Sequence, residues 1–113
     1  MDQKSKNRYE AQAAVIKALA HPSRLMMLEE LNNGKKNVTE LTKMVGADTS
    51  TVSKHLNVLK NAGLVFVEKE GTTVFYQLRM PCLMDFISCI ESVMEANAFE
   101  HMETVISCKT KTK

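Results

Sequence analysis

The chain has 113 residues and a net charge of +2, room for one domain. Its 44% hydrophobic and 25% charged residues have the balance of an ordinary soluble globular protein. No run approaches the roughly 20 apolar residues of a membrane helix, and the polar stretch Met1–Glu10 has no secretory-signal pattern, so a cytoplasmic chain with no membrane contact is expected.

The first apolar series is Ala11, Ala14, Val15, Ala18 and Leu19, which predicts a helix from about Asn7 to Ala20. Pro22 breaks it and fits the first turn of a second helix, where a missing N–H costs nothing. Leu25, Leu28 and Leu31 form that helix's expected buried stripe, and Asn33-Gly34 stops it. Lys35 to Asn37 read as a loop. Val38–Val45 is a short helix with Leu41, Met44 and Val45 inward, and Gly46 ends it. Asp48-Thr49-Ser50 caps the next helix, from about Ser50 to Ala62, whose buried positions are Val52, Leu56 and Leu59.

After Gly63 the period changes. Leu64–Glu70 and Thr73–Arg79 are rich in β-branched and aromatic residues and flank Gly71-Thr72, a turn suited to a β-hairpin. Beyond Pro81 one long helix is predicted to about Val105. Leu83, Ile87, Ile90, Met94, Ala98 and Val105 lie on one face, with Cys82, Phe86, Cys89 and Val93 on an adjacent strip. Two apolar strips on one helix call for a partner, most simply the same helix of a second chain. A small core points the same way.

Charge is unevenly placed. Residues 35–60 carry a net +3, residues 81–106 a net −5, and Lys109, Lys111 and Lys113 make the tail basic. A basic centre suits a polyanion, although solvated helix faces would show the same pattern.

Two short helices around Val45-Gly46-Ala47-Asp48 form a helix-turn-helix. The second presents Thr49 at its opening and then Ser50, Thr51, Ser53, Lys54, His55 and Asn57 away from its buried side. Such residues donate to phosphates and reach base edges. The hairpin that follows sits where a wing would. The expected fold is mainly α with a β-hairpin: four helices, two strands and a last helix. This is a winged helix-turn-helix domain over residues 1–106, dimerising through its terminal helices, with a polar basic tail over 107–113.

The sequence resembles the ArsR/SmtB family of winged-helix metal- and stress-sensing repressors. The resemblance rests on Leu19-Ala20-His21-Pro22-Ser23-Arg24-Leu25, on Val38-Thr39-Glu40-Leu41, on the run from Ser50 to Val65 and on Glu70–Tyr76. It covers about residues 10–100. It implies a homodimer that binds an inverted-repeat operator in double-stranded DNA and lets go when an inducer binds. It places Ser50, Thr51, Ser53, Lys54 and His55 on the DNA-contacting face, with Lys69 and Thr72 at the wing. The family's wing is often richer in Arg than Glu68–Thr72.

The family's inducer sites are matched poorly. Glu40-Leu41-Thr42-Lys43 lacks the cysteine pair of its arsenic site. Asp85 could match one ligand of its zinc site, but Ile87 stands in place of the His, and His101 and Glu103 do not restore the spacing. Asn61 and Ala62 lack the thiols of its cadmium site. There remain Cys82, Cys89 and Cys108, an odd number that argues against a disulfide scaffold.

Cys82 and Cys89 are seven residues apart, about 10 Å along a helix. That is too far to bridge or to share one ion within a straight helix. Unwinding near Pro81, or a second chain, would be needed to gather them. Three thiolates would suit arsenite, antimonite or another thiophilic metal ion as inducer, with no permanent cofactor. Redox or persulfide sensing and a purely packing role stay open. So do a ligand-independent DNA binder and a protein-interaction module of the same fold. No Gly-rich phosphate loop, carboxylate pair or nucleophile triad points to an enzyme.

Overall fold

A computed structural model of the chain describes the backbone of residues 1–110 and the side chains through Met102. It divides into two compact units, one ending at Pro81 and one beginning at Cys82.

In the first unit, α1 spans Gln3–Leu19. It begins four residues before the expected Asn7 because the Asp2 carboxylate accepts from the Ser5 N–H (2.9 Å) and caps it. Only Ala18 and Leu19 are buried, since α1 meets α2 and α4 at its C-terminal end. Val15 and Ile16, at 37% and 52% exposed, are left outside.

Helix α2 is Pro22–Asn32, with Pro22 in its first turn. Its buried residues are Met27, Leu28 and Leu31, whereas the expected Leu25 is half-buried. At about 100° per residue, Arg24, Met27, Leu28 and Leu31 share one face and Leu25 falls on its flank. An arginine therefore stands in line with the core stripe.

Lys36 and Asn37, expected in a loop, form a short strand, β1. It pairs antiparallel with a strand far along the chain, Lys36 opposite Tyr76 and Asn37 opposite Phe75. Asn37 also caps α3 (Val38–Val45) through a reciprocal capping box. Its Oδ1 accepts from the Glu40 N–H (2.8 Å), and its own N–H donates to the Glu40 Oε1 (3.0 Å). Of the three inward residues expected on α3, Leu41 is buried and Val45 half-buried, but Met44 is 40% exposed. Gly46 closes the helix with φ of 75° while its N–H donates to the Thr42 carbonyl (2.9 Å).

Helix α4, Thr49–Asn61, buries Val52, Leu56 and Leu59 completely. These are the residues its spacing predicts. Strands β2 (Val65–Glu70) and β3 (Thr73–Leu78) form the hairpin about Gly71, whose φ is 62°. The sheet has three strands in the order β1-β3-β2, rather than the two expected. Its register sets Val65 opposite Leu78 and Glu70 opposite Thr73. The core joins Ala18 and Leu19 to the buried residues of α2, α3 and α4 and to Leu64 and Val65.

In the second unit, α5 runs Leu83–Thr110, longer than the spacing predicts. Leu83, Met84 and Ile87 are half-buried. Phe86, Ile90, Val93, Met94, Phe99 and Met102 are 42–68% exposed. Val105 and the tail from Ser107 lie outside the residues whose side chains are described.

Candidate nucleic-acid interface

The turn between α3 and α4 is held by its own residues. Asp48 Oδ1 accepts from the Thr51 N–H (2.7 Å) and the Ser50 hydroxyl (3.3 Å). These bonds, Thr51's first, together with the nearby Lys54 charge, hold the Asp48 carboxyl below the usual aspartate range. The cap fixes where α4 begins. The three buried residues fix which side faces the core.

What remains on α4 is a polar face. Thr49, Ser50, Thr51, Lys54 and Asn57 are exposed and Ser53 is half-buried. Five of the seven expected contact residues of this helix thus stand free in solvent on thirteen residues of helix, about 20 Å long. Lys69 lies on β2 and Thr72 in the turn, both exposed, and β2 packs against α4. The tip of the wing is tied to the loop before β1 by an ion pair of Lys35 with Glu70, which raises the Lys35 pKa. The Lys35 ammonium also lies 4.9 Å from the centre of the Phe75 ring.

His55 departs from the expectation. It is half-buried and turned toward α2, where an Arg24 guanidinium nitrogen lies 3.2 Å from its Nδ1. Arginine only donates, so that nitrogen accepts and the ring proton sits on Nε2. The same guanidinium donates from Nε to the Ala18 carbonyl of α1 (2.7 Å). His21 stacks at a tilt on His55, ring centroids 4.3 Å apart, and its own Nδ1 accepts from the Ser23 N–H (3.0 Å) to cap α2. Burial first, then the neighbouring His21 and Arg24, depresses the His55 pKa below the ordinary histidine value. Sequence reasoning missed the roles of His21 and Arg24. The one available signal was the position of Arg24 on the apolar face of α2.

The cysteines do not converge. Cys82 precedes α5 in a turn, its carbonyl accepting from the Asp85 N–H (3.0 Å), and Cys89 lies on the helix. Both are exposed free thiols. Cys108 lies outside the residues whose side chains are described. Among the described residues, no three His, Cys, Asp or Glu side chains gather as metal ligands, so these residues do not fit a metal centre within one chain. No helix among them is long and apolar enough to cross a membrane.

A capped helix with a free polar face, a tight turn before it and a β-wing behind it defines a winged helix-turn-helix DNA-binding domain. Residues 21–66 match the family model for bacterial regulatory proteins of the arsR family. The chain is 32% identical over 87 residues to the transcriptional regulator Rv0081 of Mycobacterium tuberculosis, covering 76% of each chain. The chain belongs to the arsR family, whose members are transcriptional regulators and not enzymes.

NmtR, a transcriptional regulator of the same organism, is 46% identical over 66 residues. That match covers 58% of this chain and about half, 55%, of NmtR. A biofilm growth-associated repressor of Agrobacterium fabrum is 39% identical over 66 residues, 58% of this chain and 56% of that one. The crystal structure of Rv0081 superposes with a TM-score of 0.75 at 29% identity, covering 83% of this chain and 95% of that one. The homodimeric winged helix-turn-helix DNA-binding domain Mb0332 of Mycobacterium bovis superposes with a TM-score of 0.74 at 27% identity, covering 84% and 88%.

Proposed function

We propose that the chain is a cytoplasmic transcriptional repressor that binds an inverted-repeat operator as a homodimer. The observation that carries this is the solvent-facing row Thr49, Ser50, Thr51, Lys54 and Asn57 on α4, with the exposed Lys69 and Thr72 on the adjoining wing. A helix of this kind enters the major groove, and two of them must stand about one DNA turn apart. The repressor among the relatives and the homodimeric Mb0332 domain support the sign of regulation and the pairing. The exposed apolar residues of α5, Phe86 to Met102, are the surface a second copy would cover.

The inducer is a thiophilic species, arsenite or antimonite in first place, taken by Cys82, Cys89 and Cys108. Two exposed thiols on the second unit support this reading, because soft donors select soft centres. Their separation requires sulfurs from more than one turn of helix or from both chains. A coupling of a few kcal/mol between the thiol site and α4 is enough to vacate DNA.

The test is fluorescence anisotropy on a duplex from the chain's own promoter, reduced and oxygen-free, titrated with arsenite, zinc, cadmium and a persulfide donor in turn. Salt-dependent binding with release by arsenite supports the whole reading. Binding that no titrant disturbs removes the thiol-sensing part. Absence of salt-dependent binding removes the operator.

A further inference from the structure

We propose that Arg24, His21 and His55 form a proton-sensitive clasp that holds α4, the DNA-reading helix, against α1 and α2, so that acidification weakens operator binding. The inference rests on the proposed role of α4 and turns His55 from a DNA contact into a positioning residue.

The geometry is that of one cation tying three helices. Arg24 rises from the first turn of α2, donates to the Ala18 carbonyl at the end of α1 and donates to His55 in the middle of α4. Both acceptors are uncharged, and among the described residues Arg24 has no carboxylate partner. The His55 imidazole must be neutral for the arrangement to exist. His55 Nδ1 accepts from Arg24, and His21 Nδ1 accepts from the Ser23 N–H. A proton on His55 Nδ1 turns an acceptor into a donor, cancels that bond and sets a second positive charge beside the guanidinium. Among the described residues no carboxylate pairs with the guanidinium or with either imidazole. The charged or titratable groups that act on His55 are His21 and Arg24, both at the N-terminal end of α2. Of the elements also packed on α4, α1 places Lys17 in the lining of a cavity it shares with Arg24 and the α4 residues Val58, Asn61 and Ala62, a further positive charge and not a negative one.

The lowered His55 pKa agrees with this arrangement. Once protonated, His55 and Arg24 repel across the seam between α2 and α4. The residues proposed to read DNA stand on the outer side of the same helix, within two turns of His55.

The sign of the effect separates this role from the one the sequence suggests. A histidine touching phosphate gains affinity when it becomes cationic. A clasp histidine loses it. The experiment is promoter-duplex anisotropy at constant salt between about pH 7.5 and about pH 5.5, on the wild type and on His55→Asn. The asparagine carbonyl can accept from Arg24 and does not titrate.

The wild type is expected to lose about threefold or more in affinity on acidification. His55→Asn is expected to match it at the higher pH and stay level across the range. Affinity that rises as pH falls, or a His55→Asn protein with the wild-type pH slope, overturns the proposal. A DNA-free readout keeps its failure distinct from failure of the operator reading. Imidazole nitrogen shifts should show His55 with its proton on Nε2 at neutral pH, and the α4 amide shifts should move with its titration. Still α4 amides overturn the clasp whether or not the protein binds DNA. Moving α4 amides in a chain that binds no duplex uphold the clasp and overturn the operator reading.

Discussion

The Arg24 guanidinium lies 3.2 Å from His55 Nδ1 across the seam between α2 and α4, a hydrogen bond between residues 31 positions apart. Because the acceptor is a depressed-pKa histidine, the bond makes the fold itself pH-sensitive. The unfolded chain takes up a proton on His55 at a higher pH than the folded one does. The contribution to stability is therefore complete above the unfolded value, about 6.5, and is lost as pH falls through the lower folded value. Urea midpoints should drop between about pH 7.5 and about pH 5.5, and drop less in His55→Asn. Asp2 and Asp48, whose carboxyls are held below the usual range, act in a separate window below about pH 4.

Leu56 is fully buried beneath the polar face of α4. Leu56→Ala removes three carbons from a core that has few residues to close over the gap. It should cost about 2–5 kcal/mol, read as a lower urea midpoint with an unchanged slope.

Gly46 occupies the left-handed region at φ of 75°, and a Cβ there would meet no neighbour within 4 Å. The expected loss for Gly46→Ala is therefore backbone strain alone, about 1–2 kcal/mol. Thermal unfolding measures it, and a larger loss would show that the turn has to move.

Lys54 is exposed on α4 and has no ion-pair partner among the described residues. Lys54→Met should weaken binding to specific and random duplexes alike. It should also reduce the slope of log affinity against log salt by about 1. An unchanged slope would place Lys54 away from the phosphates.

Cys82 and Cys89 are exposed, so the double substitution to serine should change stability by no more than about 0.5 kcal/mol. Operator affinity should be untouched and arsenite release abolished. Release that persists in the double variant removes these thiols from sensing.

Much of this architecture is written in near-neighbour patterns. Val52, Leu56 and Leu59 recur at steps of four and three, and that period alone puts them on one side of α4 and leaves Ser50, Thr51, Lys54 and Asn57 on the other. Asp48 caps a donor three residues ahead, and Gly46 and Gly71 stand where the backbone turns left-handed. Each signal acts within about one turn of chain, so each is legible before any folding is known.

The features that were not legible all join distant segments. Lys36 and Asn37 are too few to carry a strand pattern and become one only because β3 passes beside them. Met27 displaces Leu25 from the core because the buried side of α2 is chosen by the helices packed on it, not by hydrophobicity alone. His55 sits among residues suited to contacting DNA, yet it turns inward. A half-buried, donor-only guanidinium on α2 needs acceptors, and folding brings Ala18 and His55 within its reach. Local periodicity says which side of a helix is polar; only packing says which of those polar groups is used up before DNA arrives.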